Sequence, residues 1–352
     1  MKSIFTKIYA WALLIFTIVG MCAVVAVAWA DMDNLIAAVV GVALSLLLAP
    51  VVHELGHVVF ACVNRLEIVY CKCFCFRYFQ QQGVKKFGFA NPLAADETQV
   101  LPRGSEDMHR RAYAFTVGGL IFGGVFFSML LLWAILAACL RADAFAVYAM
   151  LPYTAYLFLL NVLPLQYPAG KTDAMVAFGL KKQSAEEQTM LNVMRIYGEL
   201  QSGKTYAEID ESLYFSAPQI AMDQPLYLAI TDARYRYYVE REEYDKAFDV
   251  LKRRKAAGEY MTDEEVLTLE CDLAYLCLLG GNDEVLKAAV KNGDDYWKSE
   301  TVSVLRTLAL YMNLCGETER SCALISQAKD LLKTLPTEGQ KKHEQLLLSR
   351  IK

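Results

Sequence analysis

Residues 35–63 read LIAAVVGVALSLLLAPVVHELGHVVFACV, twenty-nine positions that hold one acidic residue and no Lys or Arg. A helix needs ~20 apolar residues to cross a bilayer, so this stretch predicts a transmembrane helix. Within it stands His53-Glu54-Leu55-Gly56-His57. On a helix, His53 and His57 are one turn apart and share a face, where both imidazoles can grip one cation. Glu54 lies roughly 100° round the helix from His53, near enough to reach a metal-activated water without ligating. An ionisable side chain in a membrane helix costs about 2.5–3.5 kcal/mol on insertion scales, so such groups are paired or functional. The chain has four histidines, and two of them are here. The pattern therefore points to one bound zinc ion, with Glu54 as general base for hydrolysis.

Three further apolar runs, about 8–30, 112–140 and 144–165, are long enough to span. The first has Lys2 and Lys7 before it and could be a signal peptide, but its apolar run is longer than an ordinary signal core, which favours an uncleaved anchor. Arg65, Lys72, Arg77, Lys85, Lys86, Arg103, Arg110 and Arg111 crowd the 64–111 loop, whereas Asp31 and Asp33 flank the far end of the first span. Basic loops face the cytoplasm, so both termini are expected there. Residues 1–180 carry net charge +2 and residues 181–352 carry −6. With 55% hydrophobic residues overall, the chain reads as mainly α: a polytopic helical bundle of about four spans in 1–180, then a cytosolic domain in 181–352. No basic block stands out, which argues against a nucleic-acid partner.

The 64–111 loop contains IVYCKCFCFRYF (68–79), a strand pattern, then a Gln80–Gly83 turn and a return strand over 84–89. This small β-hairpin, about 68–90, either offers an edge to an extended peptide or only covers the bundle. On a strand Cys71, Cys73 and Cys75 face one side; without CxxC pairs they read as reduced structural thiols rather than a metal site.

A catalytic zinc usually has three protein ligands and an open position. His109 beside Arg110 and Arg111, and His343 in the charged C-terminal tail, suit solvated roles. Asp173 is the best third ligand, because Pro164, Pro168 and Gly170 break the helix after the fourth span and could turn the chain back. A solvated aspartate at the membrane boundary fits that spacing equally well. Asn161 could orient a substrate backbone or the broken helix, or simply bond between helices.

At these residues the chain resembles the site-2 protease family of intramembrane zinc metalloproteases: HELGH in a spanning helix, then Asn161-Val-Leu-Pro164 and Lys171-Thr-Asp173-Ala174 over a hundred residues later. The resemblance covers roughly 35–180. It implies His53, His57 and Asp173 as zinc ligands, Glu54 as base, Asn161 and Pro164 as the family's N-x-x-P element, and Gly118-Gly119 as its small-residue motif. It also implies a bacterial cell membrane and a membrane-anchored protein substrate cut near the cytoplasmic face. Ala174 departs from the family's pattern, which has glycine after the aspartate.

From Ser184 onward the pattern is amphipathic. Ser184/Glu187, Thr205/Glu208 and Thr262/Glu265 have capping-box spacing. Helix pairs are expected at 226–240 with 244–255, 263–279 with 283–291, and 299–314 with 318–335. This resembles a degenerate tetratricopeptide-like α-solenoid that regulates the protease or recruits a protein partner; a plain helical bundle is the simpler reading. The alternative function is a non-catalytic, membrane-anchored helical-repeat adaptor, though a scaffold has no use for Glu54 between two ligands. A metal transporter would need more polar residues along the spans than are present.

Overall fold

The computed structural model describes residues 2–81, 84–91, 96–102, 107–167, 170–280 and 300–351. The chain divides into two compact units, Met1–Glu187 and Gln188–Lys352.

In the first unit, four helices are long and apolar enough to cross a membrane: α1 (Lys2–Ala28), α2 (Met32–Val63), α3 (Met108–Leu140) and α4 (Phe145–Val162). Their outer faces leave large apolar side chains such as Trp11, Phe16, Leu132 and Trp133 exposed, as lipid-facing helices must. Asp31 caps α2, accepting from the backbone N–H of Asp33 and Asn34. α2 packs on both α3 and α4.

The 64–111 segment is more than a hairpin. β1 (Leu66–Cys73), β2 (Phe76–Gln81), β3 (Val84–Phe89) and β4 (Glu97–Pro102) form an antiparallel sheet in the order β3-β2-β1-β4. The expected strand over 68–79 is two strands, because the chain reverses at Phe74 (φ 53°) and Cys75. Cys75 therefore lies in a turn and does not share a strand face with Cys71 and Cys73. The turn is locked by Asp96, whose Oδ1 accepts from Phe74 N at 2.7 Å and from the buried Lys72 ammonium at 2.8 Å. That contact also brings β4 alongside β1, with Thr98 opposite Cys71. Residues 82–83 of the expected turn lie outside the described residues, as do Arg103 and Pro168.

After α4 the chain turns through two short paired strands, β5 (Gln166–Tyr167) and β6 (Gly170–Lys171), into α5 (Asp173–Lys182) and α6 (Ala185–Gln201). His109 is half-buried and has a protein partner: its ring nitrogen donates to Leu180 O at 2.7 Å, fastening the start of α3 to α5. Ser184 and Glu187 hydrogen-bond at the start of α6, as their spacing predicts.

The second unit continues with α7 (Ser212–Phe215), α8 (Pro225–Glu240), α9 (Tyr244–Lys255), α10 (Asp263–Leu279), α11 (Val302–Leu314), α12 (Thr318–Leu331) and α13 (Glu338–Ser349). The Thr262/Glu265 capping box opens α10, whereas Thr205/Glu208 caps only a single 3-10 turn. The helix expected at 283–291 lies outside the described residues. The C-terminal tail is an ordered helix, and His343 on it is buried, 2.7 Å from Glu240 of α8. Arg306 of α11 is fully buried between Glu344 (2.5 Å) and Asp272 (3.4 Å). Removing one member of such a group leaves an uncompensated buried charge, so these contacts fix which helix faces meet.

Candidate metal centre

The structure brings His53, His57 and Asp173 together. Asp173 Oδ2 lies 3.0 Å from His53 Nε2 and 3.2 Å from His57 Nε2, and the three potential ligand atoms are all within 4.8 Å of one another. Both imidazoles are buried.

Local sequence explains each position. α2 supplies the two histidines one turn apart, His57 about 9 Å and His53 about 15 Å inside its C-terminal end at 1.5 Å per residue. Asp173 is delivered by Thr172. That hydroxyl donates to Leu163 O (2.7 Å) and accepts from Leu165 N (3.1 Å) and Met175 N (3.3 Å). One side chain thus ties the end of α4 to the N-terminus of α5 and points the first residue of α5 at the histidines. Ala174, the departure from the family's pattern, is helical in α5 and has no positive φ, so a methyl group there meets no backbone constraint.

Gly118 and Gly119 set the approach of α3 to α2. A Cβ on Gly118 would strike Gly56 O and the Phe60 side chain, and one on Gly119 would strike His57 Nε2. Their absence lets the two helices touch at backbone level, which places Phe115 O 2.9 Å from His57 Nδ1.

This last contact decides what the site can hold. A carbonyl only accepts, so His57 Nδ1 carries a proton, and in the neutral imidazole that a metal requires Nε2 keeps its lone pair. That lone pair faces Asp173 Oδ2, which is buried and has no hydrogen-bond partner. Lone pairs converging on one buried point repel unless a cation lies between them. Tetrahedral N/O ligands at ~2.0–2.1 Å from a metal stand roughly 3.3–3.4 Å apart, close to the two nitrogen–oxygen separations here. The donor set therefore fits a divalent metal ion, with an outer partner on His57 of the kind that orients metal-bound histidines.

Glu54 is buried beside this cluster, and its Oε2 accepts from Thr98 Oγ1 of β4 at 2.5 Å. Thr98 has no signal in the sequence, because nothing marks 97–102 as a strand at the site. The main-chain oxygen of Phe115 has no side-chain signature at all. Asn161 does not join the cluster; its amide donates to Leu157 O, one turn back in α4, at 3.2 Å. Neither the helix–helix bond nor the broken-helix contact expected for it is present among the described residues. No protein-family model, curated protein or solved structure matches this chain.

Proposed function

We propose that the chain is an intramembrane zinc metalloprotease of the site-2 protease type, hydrolysing a peptide bond of a membrane-anchored protein near the cytoplasmic face. The observation that carries this reading is Glu54: a buried carboxylate beside a two-histidine, one-aspartate donor set in a helix long and apolar enough to span. His53, His57 and Asp173 would hold the zinc, which when bound would supply a Lewis acid for water and the peptide carbonyl. Glu54 takes the proton released when water attacks the peptide carbonyl, and returns it to the leaving amine. A helical substrate must unwind there, because its peptide bonds are otherwise shielded by their own hydrogen bonds. β4 is an edge strand next to the site and offers main-chain groups to such an extended segment. The second unit would recruit or regulate through a protein partner.

Both chain ends then lie in the cytoplasm, with Asp31 and Asp33 outside. Reporter fusions at residue 33 and after residue 352 should report opposite sides; the same side for both would remove the four-span arrangement. Function itself is tested by comparing proteomes of cells carrying wild type and Glu54→Gln. A membrane-anchored protein should accumulate uncut in the variant. Identical proteomes, with the variant expressed and folded, would favour the adaptor reading.

A further inference from the structure

A general base needs one carboxylate oxygen free for the proton and the other held still. Terminal carboxylate torsions are broad and do not fix themselves. Among the described residues, the hydrogen-bond donor that reaches the Glu54 carboxylate is Thr98 Oγ1, 2.5 Å from Oε2. Thr98 comes from a different element, β4, more than forty positions along the chain.

The direction of this bond follows from counting protons. A threonine hydroxyl carries one, and an ionised carboxylate only accepts. The hydroxyl proton therefore lies towards Glu54, and the threonine oxygen keeps its lone pairs. Cys71 Sγ is 3.5 Å from that same oxygen, because the β1–β4 register sets Cys71 directly opposite Thr98.

We propose that Thr98 is a positioning residue for Glu54: its hydroxyl holds Oε2 and leaves Oε1 to exchange the proton. The proposal rests on the reading of Glu54 as the base. It assigns the β-sheet a part in the chemistry. A contact that acts only on the orientation of the base is felt in the transition state more than in substrate binding, so it changes kcat and leaves KM in place.

The test uses the full-length chain in detergent. Thr98→Val keeps the shape of the side chain and removes the donor; Thr98→Ser keeps the donor. Infrared difference spectra against Glu54→Gln isolate the Glu54 carboxylate stretch, a readout independent of cleavage. Thr98→Val should shift that band, retain zinc at the wild-type level, and lower kcat on a membrane-tethered reporter about 10- to 100-fold with KM unchanged, the range for losing a hydrogen bond to a charged group. Thr98→Ser should restore both band and kcat. Should Thr98→Val fail to fold, Thr98→Ala removes the donor with less bulk. A folded donor-less variant with wild-type band and kcat overturns the proposal, as does a Thr98→Ser chain that behaves like the donor-less one. Failure of the protease reading looks different: wild type would cleave nothing, yet the band would still move in Thr98→Val.

Discussion

Glu54→Gln should keep its zinc and lose its proteolysis, while Asp173→Asn should lose both. The side-chain amide of the first variant fills the same space but cannot accept a proton, and general-base catalysis contributes about 10²–10⁴-fold to rate. Glu54 bonds to Thr98 and is not one of the three converging donors, so removing its charge leaves the ligand set intact. Asp173 Oδ2 is one of those donors, 3.0 Å from His53 Nε2 and 3.2 Å from His57 Nε2. A neutral amide oxygen is a much poorer zinc ligand than a carboxylate. Its loss should weaken zinc binding by more than the ~10–100-fold that follows loss of an outer-shell partner. His53→Ala and His57→Ala should behave like Asp173→Asn. The measurement is zinc per chain on detergent-purified variants, paired with cleavage of a membrane-tethered reporter. Full zinc occupancy in Asp173→Asn would remove Asp173 from the ligand set.

Two glycines one turn apart on α3 give the second large effect. Gly119→Ala puts a methyl group where His57 Nε2 now lies, whereas a Cβ on Gly123 would stand 3.5 Å from His53 Nδ1, an ordinary contact. Both substitutions raise helix propensity by about 1 kcal/mol, so propensity cannot separate them. Relieving the clash at Gly119 means moving the ring off its Phe115 carbonyl or pushing α3 away from α2. Overpacking of this kind costs about 1–3 kcal/mol, which drawn from the ligand geometry is a loss of zinc affinity of roughly 5- to 150-fold. Gly119→Ala should therefore lose zinc and cleavage, and Gly123→Ala should retain both. Equal behaviour of the two variants would mean that His57 Nε2 is not held where the structure has it.

The residues whose chemistry sets them apart are legible in the sequence. His53, Glu54 and His57 announce themselves because charge is expensive in an apolar helix, and four long apolar runs give four helices. Asp173 is harder. Prolines after α4 predict a break, but only the Thr172 hydroxyl, bonded on three sides, turns that break into an aim. What the sequence hides is mostly main chain and register. β4 is a six-residue strand whose value lies in its pairing with β1, and pairing leaves no mark on residues 97–102. The strand expected over 68–79 looks continuous because alternation persists through Phe74 and Cys75, while the reversal depends on Asp96, some twenty residues away. His109 and His343 mislead for the same reason: charged neighbours suggest solvent, but Leu180 O and Glu240 supply partners that only the fold brings near.

The most direct test of the central claim is zinc X-ray absorption on the purified full-length chain. The account predicts one zinc per chain with nitrogen and oxygen neighbours at ~2.0–2.2 Å, imidazole scattering from two histidines, and loss of an oxygen neighbour or of the metal in Asp173→Asn. Sulfur neighbours at ~2.3 Å would move the metal to cysteines such as Cys71 and Cys73, and a folded wild-type chain that binds no zinc would contradict the metal centre itself.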